Sequence, residues 1–210
     1  MLNLKIGNMV LGICQTNCYY IYQEGSSETI VVDPADRGDY IYQTLTEKGL
    51  HIAGILLTHG HFDHIWGSNE LRDLSGAKIY AYEEEKAVCE DEGNNASAQV
   101  GRSYVVVPDV YLKDKEELTL AGIKCRLIAT PGHTIGSCCY YLEDEGILMS
   151  GDTLFQESVG RTDLPTGSMG SLIRAIKEQL FVLPDKTKVY PGHGEMTEIG
   201  LEKKYNPFCQ

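Results

Sequence analysis

Residues 56–67 read LLTHGHFDHIWG, and four groups able to bind metal, His59, His61, Asp63 and His64, fall within six positions of it. The chain has six histidines, so half of them are spent on one turn after an apolar run. In an extended segment residues two apart point to the same side, which lets His59 and His61 reach one ion together. Asp63 and His64 come after the chain has turned and aim at a different point, so one short loop can serve two neighbouring metals. Imidazole together with carboxylate suits zinc or iron, and three clustered imidazoles have no comparable structural use.

Other residues have to complete such a site. His133 lies in TPGHTIGS and His193 in YPGHGE. Each follows a Pro-Gly pair, which favours a turn and presents the imidazole at a strand end. Asp152, in LMSGDTLF, also follows an apolar strand. His51 precedes a strand and reads as an ordinary surface residue.

The positioning elements follow from composition and period. Tyr-, Ile- and Val-rich segments bounded by Gly, Ser or Pro predict strands at Leu2–Ile6, Cys18–Gln23 and Thr29–Val32. A helix is expected over Asp39–Lys48 with Gly49 as its stop, then a strand at Ala53–Leu57, the histidine turn, and a helix to about Leu74. Ala77–Tyr82 reads as strand, Glu83–Glu90 as a short acidic helix, and residues 92–103 as a polar, mobile loop. The second half predicts strands at Glu117–Leu120, Ile123–Ala129, Cys138–Leu142, Ile147–Met149 and Lys188–Tyr190. Helices are expected over Ser168–Leu180 and from Glu195 to about Lys204. The halves echo one another: residues 17–34 resemble 137–153, and GILLTHGH at 54–61 resembles CRLIATPGHT at 125–134. Strands interspersed with helices in both halves suggest two sheets packed face to face with helices outside.

Bulk properties narrow the class. A chain of 210 residues suits one domain, 1–210. Its net charge of −12 and the lack of any Lys/Arg cluster argue against nucleic acid as a partner. No apolar run is long enough for a membrane helix, and the N-terminus reads as a strand and not a signal peptide. The cysteines number seven, an odd count, and include no C-x-x-C pair; with no export signal, they suggest reduced thiols in a cytoplasm. Cys138 and Cys139 read as small strand residues.

His59-x-His61-x-Asp63-His64, then His133, Asp152 and His193 in that order, resembles the metallo-β-lactamase fold superfamily from about Asn17 to His193. The resemblance implies an α/β (α+β) fold, a four-layer αββα sandwich of two mixed sheets with helices on the outer faces and the site at one edge. It implies that His59, His61 and His133 hold one divalent metal, that Asp63, His64 and His193 hold a second, and that Asp152 bridges them. Asp33, in IVVDP, matches the family's early aspartate and is expected to orient a ligand histidine. Gly151-Asp152-Thr153-Leu154-Phe155 followed by Gly160-Arg161-Thr162-Asp163 is similar to short, bacterial-type members of the hydroxyacylglutathione hydrolase (glyoxalase II) group. Persulfide dioxygenases carry a similar Gly-Arg-Thr-Asp segment. The Lys and Tyr that some glyoxalase II enzymes place there are Arg161 and Asp163 here. Two roles are open to Arg161: binding a substrate carboxylate through its fork of donors, or an internal ion pair with Asp163 or another acid.

The expected reaction is thioester hydrolysis of a small-molecule substrate by a hydroxide held between two metals, zinc first, with iron or manganese as alternatives. Asp63 and Asp152 are its expected catalytic carboxylates. One rival is a mononuclear-iron persulfide dioxygenase using His59, His133 and Asp152. Another is hydrolysis of a different small ester or a lactone. A β-lactamase role is disfavoured, because those enzymes are exported and the sequence carries no signal.

Overall fold

The structure, a computed structural model, describes residues 3–210. Side-chain alternation along the strands sorts the apolar residues into three layers. On β9 (Cys138–Leu142) Cys138, Tyr140 and Leu142 enter one core, whereas Cys139 and Tyr141 enter another. Both faces of that strand are therefore covered. Cys138 and Cys139 point to opposite faces, in keeping with small strand residues, and all seven cysteines are free.

The first sheet runs β1-β2-β3-β4-β5-β6, from β1 (Leu4–Leu11), β2 (Thr16–Gln23), β3 (Glu28–Val32), β4 (His51–Leu56), β5 (Ile79–Tyr82) and β6 (Val110–Leu112). Its first two pairings are antiparallel and the rest parallel. Parallel neighbours require a crossover. Between β3 and β4 this is α1 (Gly38–Glu47), which buries Ile41 and Leu45. The second sheet runs β14-β13-β10-β9-β8-β7, from β7 (Glu117–Leu120), β8 (Ile123–Ala129), β9, β10 (Ile147–Gly151), β13 (Lys188–Pro191) and β14 (Thr197–Glu198). A separate hairpin pairs β11 (Leu154–Phe155) with β12 (Ser158–Val159).

Ile21, Ile30, Leu56, Leu127, Tyr140 and Met149 fill the space between the sheets. Ile41, Leu45 and Leu71 join Ile55 and Ile79 on the outer face of the first sheet. Leu172, Ile176 and Ile199 do the same for the second. The four-layer αββα sandwich of two mixed sheets is therefore the observed fold. Among the described residues no helix is long and apolar enough to cross a membrane.

Several elements differ from their sequence expectations. The first strand starts at Leu4 and runs on to Leu11; the expected Leu2 start lies outside the described residues. The helix expected to reach Leu74 is two pieces, α2 (Phe62–Ile65) and α3 (Ser68–Ser75). They part at Gly67, whose N–H donates to the Pro34 carbonyl at 2.8 Å, an approach that a Cβ would obstruct. Glu83–Glu90 is a 3₁₀ turn at Glu83–Glu85 followed by α4 (Lys86–Cys89), and Glu85 is buried. α5 (Met169–Ala175) widens into a π-helical turn over Ile176–Leu180. The last helix, α6 (Ile199–Tyr205), starts later than Glu195 because Thr197 and Glu198 pair with β13.

Residues 92–103 are pinned. The Asn95 carbonyl accepts from Phe62 N–H at 3.0 Å, its side chain donates to the Tyr104 carbonyl at 2.7 Å, and the Arg102 guanidinium lies 4.5 Å from the Trp66 ring centroid.

Topology refines the internal echo. β2-β3-β4 is an antiparallel pair followed by a parallel one, and β9-β10-β13 repeats that order. The match of 17–34 with 137–153 follows this repeat. The counterpart of β4 is thus β13, which leads into the His193 turn, and not β8, which leads into the His133 turn.

Candidate metal centre

The site forms where β4, β8, β10 and β13 end on one edge of the sandwich. β4 delivers His59 and His61, α2 carries Asp63 and His64, and the turns after β8, β10 and β13 bring His133, Asp152 and His193. All seven predicted residues converge. His133 Nε2 lies 2.8 Å from His61 Nδ1 and 3.2 Å from His59 Nε2. Beside that trio, His193 Nε2 and His64 Nε2 lie 3.2 and 3.8 Å from Asp63 Oδ2. Asp152 stands between the two sets: Oδ1 is 3.3 Å from His64 Nε2, and Oδ2 is 3.6 Å from His133 Nε2 and 3.5 Å from His193 Nε2. Within each trio the donor atoms lie within 4.8 Å of one another.

Donor atoms of Asp33, His59 and His64 also lie within 4.8 Å of one another, but the Asp33 oxygens already have partners. Oδ1 accepts from Thr58 N–H at 2.8 Å, and Oδ2 accepts from the Thr58 hydroxyl at 2.7 Å and from His64 Nδ1 at 2.9 Å. The Thr58 hydroxyl, donating to Asp33, is left to accept from His59 Nδ1 at 3.1 Å. Asp33 thereby assigns the tautomers of two histidines, one in each trio, and leaves both Nε2 atoms as lone-pair donors. His133 is set in the same way, its Nδ1–H donating to the Arg161 carbonyl at 2.7 Å.

Electrostatics separate the trios. Burial pushes His59 well below the usual histidine range, helped by the facing histidines, and takes His61 down to about 3. His133 is also lowered, mainly by burial. Burial thus keeps all three imidazoles neutral, with His59 Nε2, His61 Nδ1 and His133 Nε2 turned toward one point that a cation could occupy. Burial also opposes charge on His64, yet Asp152, Asp63 and Asp33 outweigh it and raise its pKa well above the ordinary value. His193 is raised against its partial burial by Asp63 and Asp152. Burial works against ionised Asp63, but His64 and His193 hold it below the usual carboxylate range. Among the described residues, the buried His64 Nε2 and Asp152 Oδ1 have no hydrogen-bond partner. Orphaned buried donors of this type are what divalent cations satisfy, so the residues fit two such ions.

The trios open into a cleft of about 390 Å³ whose further lining includes Cys14, Phe62, Phe155, Val159, Arg161 and Leu164. Arg161 Nε and Nη2 donate to the two Asp163 oxygens at 2.7 and 2.8 Å. Of its two open roles, the internal pair is the one observed.

Sequence reading passed over the residues that hold the turns in place. Asn17 donates to the carbonyls of Pro191 and Gly194 at 2.9 and 3.0 Å, fixing the turn that carries His193. Thr16 donates to Asp63 Oδ2 at 3.0 Å, and Thr58 relays Asp33 to His59. Single threonines and asparagines at strand ends carry no pattern that marks them in advance.

An αββα sandwich with histidines and aspartates gathered at one sheet edge defines a class of metal-dependent hydrolase. The profile of the Metallo-beta-lactamase superfamily matches residues 11–193, and the chain belongs to that family. Among its relatives, a probable metallo-hydrolase, YqgX of Bacillus subtilis, is 36% identical over 98% of this chain and 97% of its own length. The hydroxyacylglutathione hydrolase GloC of Haemophilus influenzae is 32% identical over 92% of each chain. Among solved structures, the BLEG-1 B3 metallo-beta-lactamase superposes with a TM-score of 0.92 at 36% identity, covering 98% of this chain and 99% of its own. TTHA1623 in a di-iron-bound form follows with a TM-score of 0.85 at 31% identity, covering 96% and 99%. ETHE1 from Myxococcus xanthus gives 0.80 at 28% identity, covering 97% and 83%.

Proposed function

We propose that this metallo-hydrolase is a glyoxalase II-like thioesterase cleaving S-acyl (hydroxyacyl) thiol esters, with the seven residues above as ligands of two divalent ions, and that 1–210 is one domain. The observation carrying this reading is the pair of adjacent donor trios sharing Asp152 at the floor of an open cleft. His59, His61 and His133 would hold one ion, Asp63, His64 and His193 the other, and Asp152 both. Zinc suits the donor set, as do iron and manganese. When bound, the ions supply hydroxide at neutral pH and polarise a carbonyl.

The chain itself binds and orients. Phe62, Phe155, Val159 and Leu164 offer apolar walls for the acyl and thiol chains. Asp33, Thr58 and the Arg161 carbonyl fix the imidazole tautomers. Overall, water adds across the acyl carbon–sulfur bond: the hydroxyl goes to carbon and the proton to sulfur, giving a carboxylic acid and a thiol. The likeness to GloC supports this substrate class. A small-molecule substrate, with neither nucleic acid nor membrane as partner, and a cytoplasmic setting belong to the same proposal.

Two specific observations favour second readings. The Gly160-Arg161-Thr162-Asp163 segment similar to that of persulfide dioxygenases, with His59, His133 and Asp152 as a two-histidine, one-carboxylate set, favours persulfide dioxygenation. The likeness to BLEG-1 at 36% identity restores β-lactams as candidate substrates despite the sequence-based argument against them. The test is hydrolysis of S-lactoylglutathione under nitrogen, before and after chelation and metal return, beside oxygen uptake with glutathione persulfide and turnover of a β-lactam. Thioester cleavage lost on chelation and restored by metal is the expected result. Oxygen consumption without thioester cleavage, or β-lactam turnover alone, would overturn the proposal.

A further inference from the structure

Glu85 lies in the acidic run Glu83–Glu85, yet it is 1% exposed. Among the described residues its carboxylate has no cationic partner. Oε1 accepts from Gly60 N–H at 2.7 Å, Oε2 accepts from Gly136 N–H at 2.9 Å, and the Thr134 hydroxyl lies 2.9 Å from both oxygens. Gly60 sits between His59 and His61, and Thr134 follows His133. Glu85 therefore joins the two backbone segments, 74 residues apart at His59 and His133, that carry the three-histidine trio. The fit is close on both sides. A Cβ on Gly60 would come within 2.9 Å of Cys89 N, and one on Gly136 would collide with the Glu85 backbone. The bonds Glu85 accepts among the described residues do not extend to Asp63 or His64, and the His193 turn is held separately by Asn17.

We propose that Glu85 is a positioning residue for the three-histidine metal site alone, setting the spacing between the His59–His61 turn and the His133 turn. The inference rests on the metal-binding reading above. A buried carboxylate costs free energy unless its hydrogen bonds are satisfied. Here every bond it accepts is spent on those two turns. Only a carboxylate presents acceptors to both backbone N–H groups at once. In a glutamine the amide nitrogen faces one of them donor to donor, so one turn is released.

Glu85→Gln is tested in two backgrounds: His193→Ala, which retains the three-histidine trio, and His61→Ala, which retains the mixed trio. Co(II) is titrated into each metal-free protein and followed by its visible absorption, with the melting temperature of each metal-free protein measured alongside. In the His193→Ala background, Co(II) affinity is expected to fall about 10–100-fold, the range for loss of a residue that orients a ligand. In the His61→Ala background it should change by less than about threefold, well short of that range. Equal losses in both backgrounds would mean a general structural role and overturn the proposal, as would no loss in either. If Glu85→Gln does not fold, Thr134→Val tests the same clamp through its other side, with the same selectivity expected. Failure of the parent His193→Ala protein to bind Co(II) would instead refute the metal-binding reading itself.

Discussion

Asp33 orients a histidine in each trio, His64 directly and His59 through Thr58, so its loss should be felt at both, unlike that of Glu85. In Asp33→Asn the amide oxygen can occupy only one of two positions. Placed where Oδ2 is, it still accepts from Thr58 and His64, but the amide N–H₂ faces Thr58 N–H. Placed where Oδ1 is, the N–H₂ faces His64 Nδ1, and His64 must move its proton to Nε2, the atom that faces Asp63 and Asp152. Each alternative removes a charge-assisted hydrogen bond worth roughly 1.5–3 kcal/mol. Such orienting partners typically change metal affinity by about 10–100-fold, which corresponds to roughly 1.4–2.8 kcal/mol per site. The assay is Co(II) or Zn(II) titration in the His193→Ala and His61→Ala backgrounds. Nitrogen-15 NMR of the imidazoles would report which ring nitrogen of His64 carries the proton. Asp33→Asn should weaken both trios and shift the His64 tautomer. If both affinities stayed within about threefold of the parent, well below the expected range, Asp33 would not be the shared anchor of the two histidines.

The metal-free protein should be most stable near pH 6.5, the ordinary histidine value. His59, His61 and His133, lowered by burial, contribute stability above that value and lose it as pH falls toward their folded values; His64 and His193, raised by their carboxylates, contribute below it and lose it as pH rises through theirs. Urea midpoints measured across pH check this, and a monotonic rise with pH would contradict it. Metal uptake by the mixed trio at neutral pH should release protons from His64 and His193, whereas uptake by the three-histidine trio should release almost none; a pH-indicator titration of the two single-trio variants distinguishes them. Gly192→Ala should lose metal at the mixed trio, because the added Cβ would run into Asp152 Oδ1 and lie 2.6 Å from His64 Cε1; metal content of the purified variant is the check. Tyr140→Phe removes a buried donor, 3.0 Å from the Leu57 carbonyl just before the histidine turn, and should cost about 1–2 kcal/mol in denaturant unfolding.

What was legible in the sequence is what repeats or clusters. The period-two strands gave the two sheets, and Pro-Gly and Gly-Asp turns marked where His133, His193 and Asp152 would stand. The ligand groups were visible because imidazoles crowded after one strand are chemically conspicuous. Short or edge elements were not. β6 has three residues and β11 and β12 two each, too few to show a period. Glu85 was hidden for a different reason. In a run of three glutamates, composition predicts a solvated face, and only the tertiary approach of Gly60 and Gly136 turns the third one inward. The break at Gly67 is likewise set by docking against Pro34, which local propensity cannot register.

The repeated strand order explains why one edge of the sandwich holds the whole centre. In β2-β3-β4 Asp33 directly follows the middle strand and its parallel neighbour leads into the His59–His64 turn; in β9-β10-β13 the corresponding positions are Asp152 and the His193 turn. Parallel neighbours end on the same side, so each half places a carboxylate next to imidazole at that edge. The two carboxylates differ in what surrounds them. Asp33 meets Thr58 and the ring N–H of His64, so its oxygens are consumed in orientation. Asp152 meets only the Nε2 atoms of His64, His133 and His193, with Oδ1 buried and unpartnered among the described residues. One local arrangement, used twice, thereby yields an anchor in one half and a shared ligand position in the other. The third member of the first trio, His133, comes from β8, outside the repeat. It is the residue whose turn has to be tied to the His59–His61 turn by a separate device, and Glu85 is placed where that tie is needed.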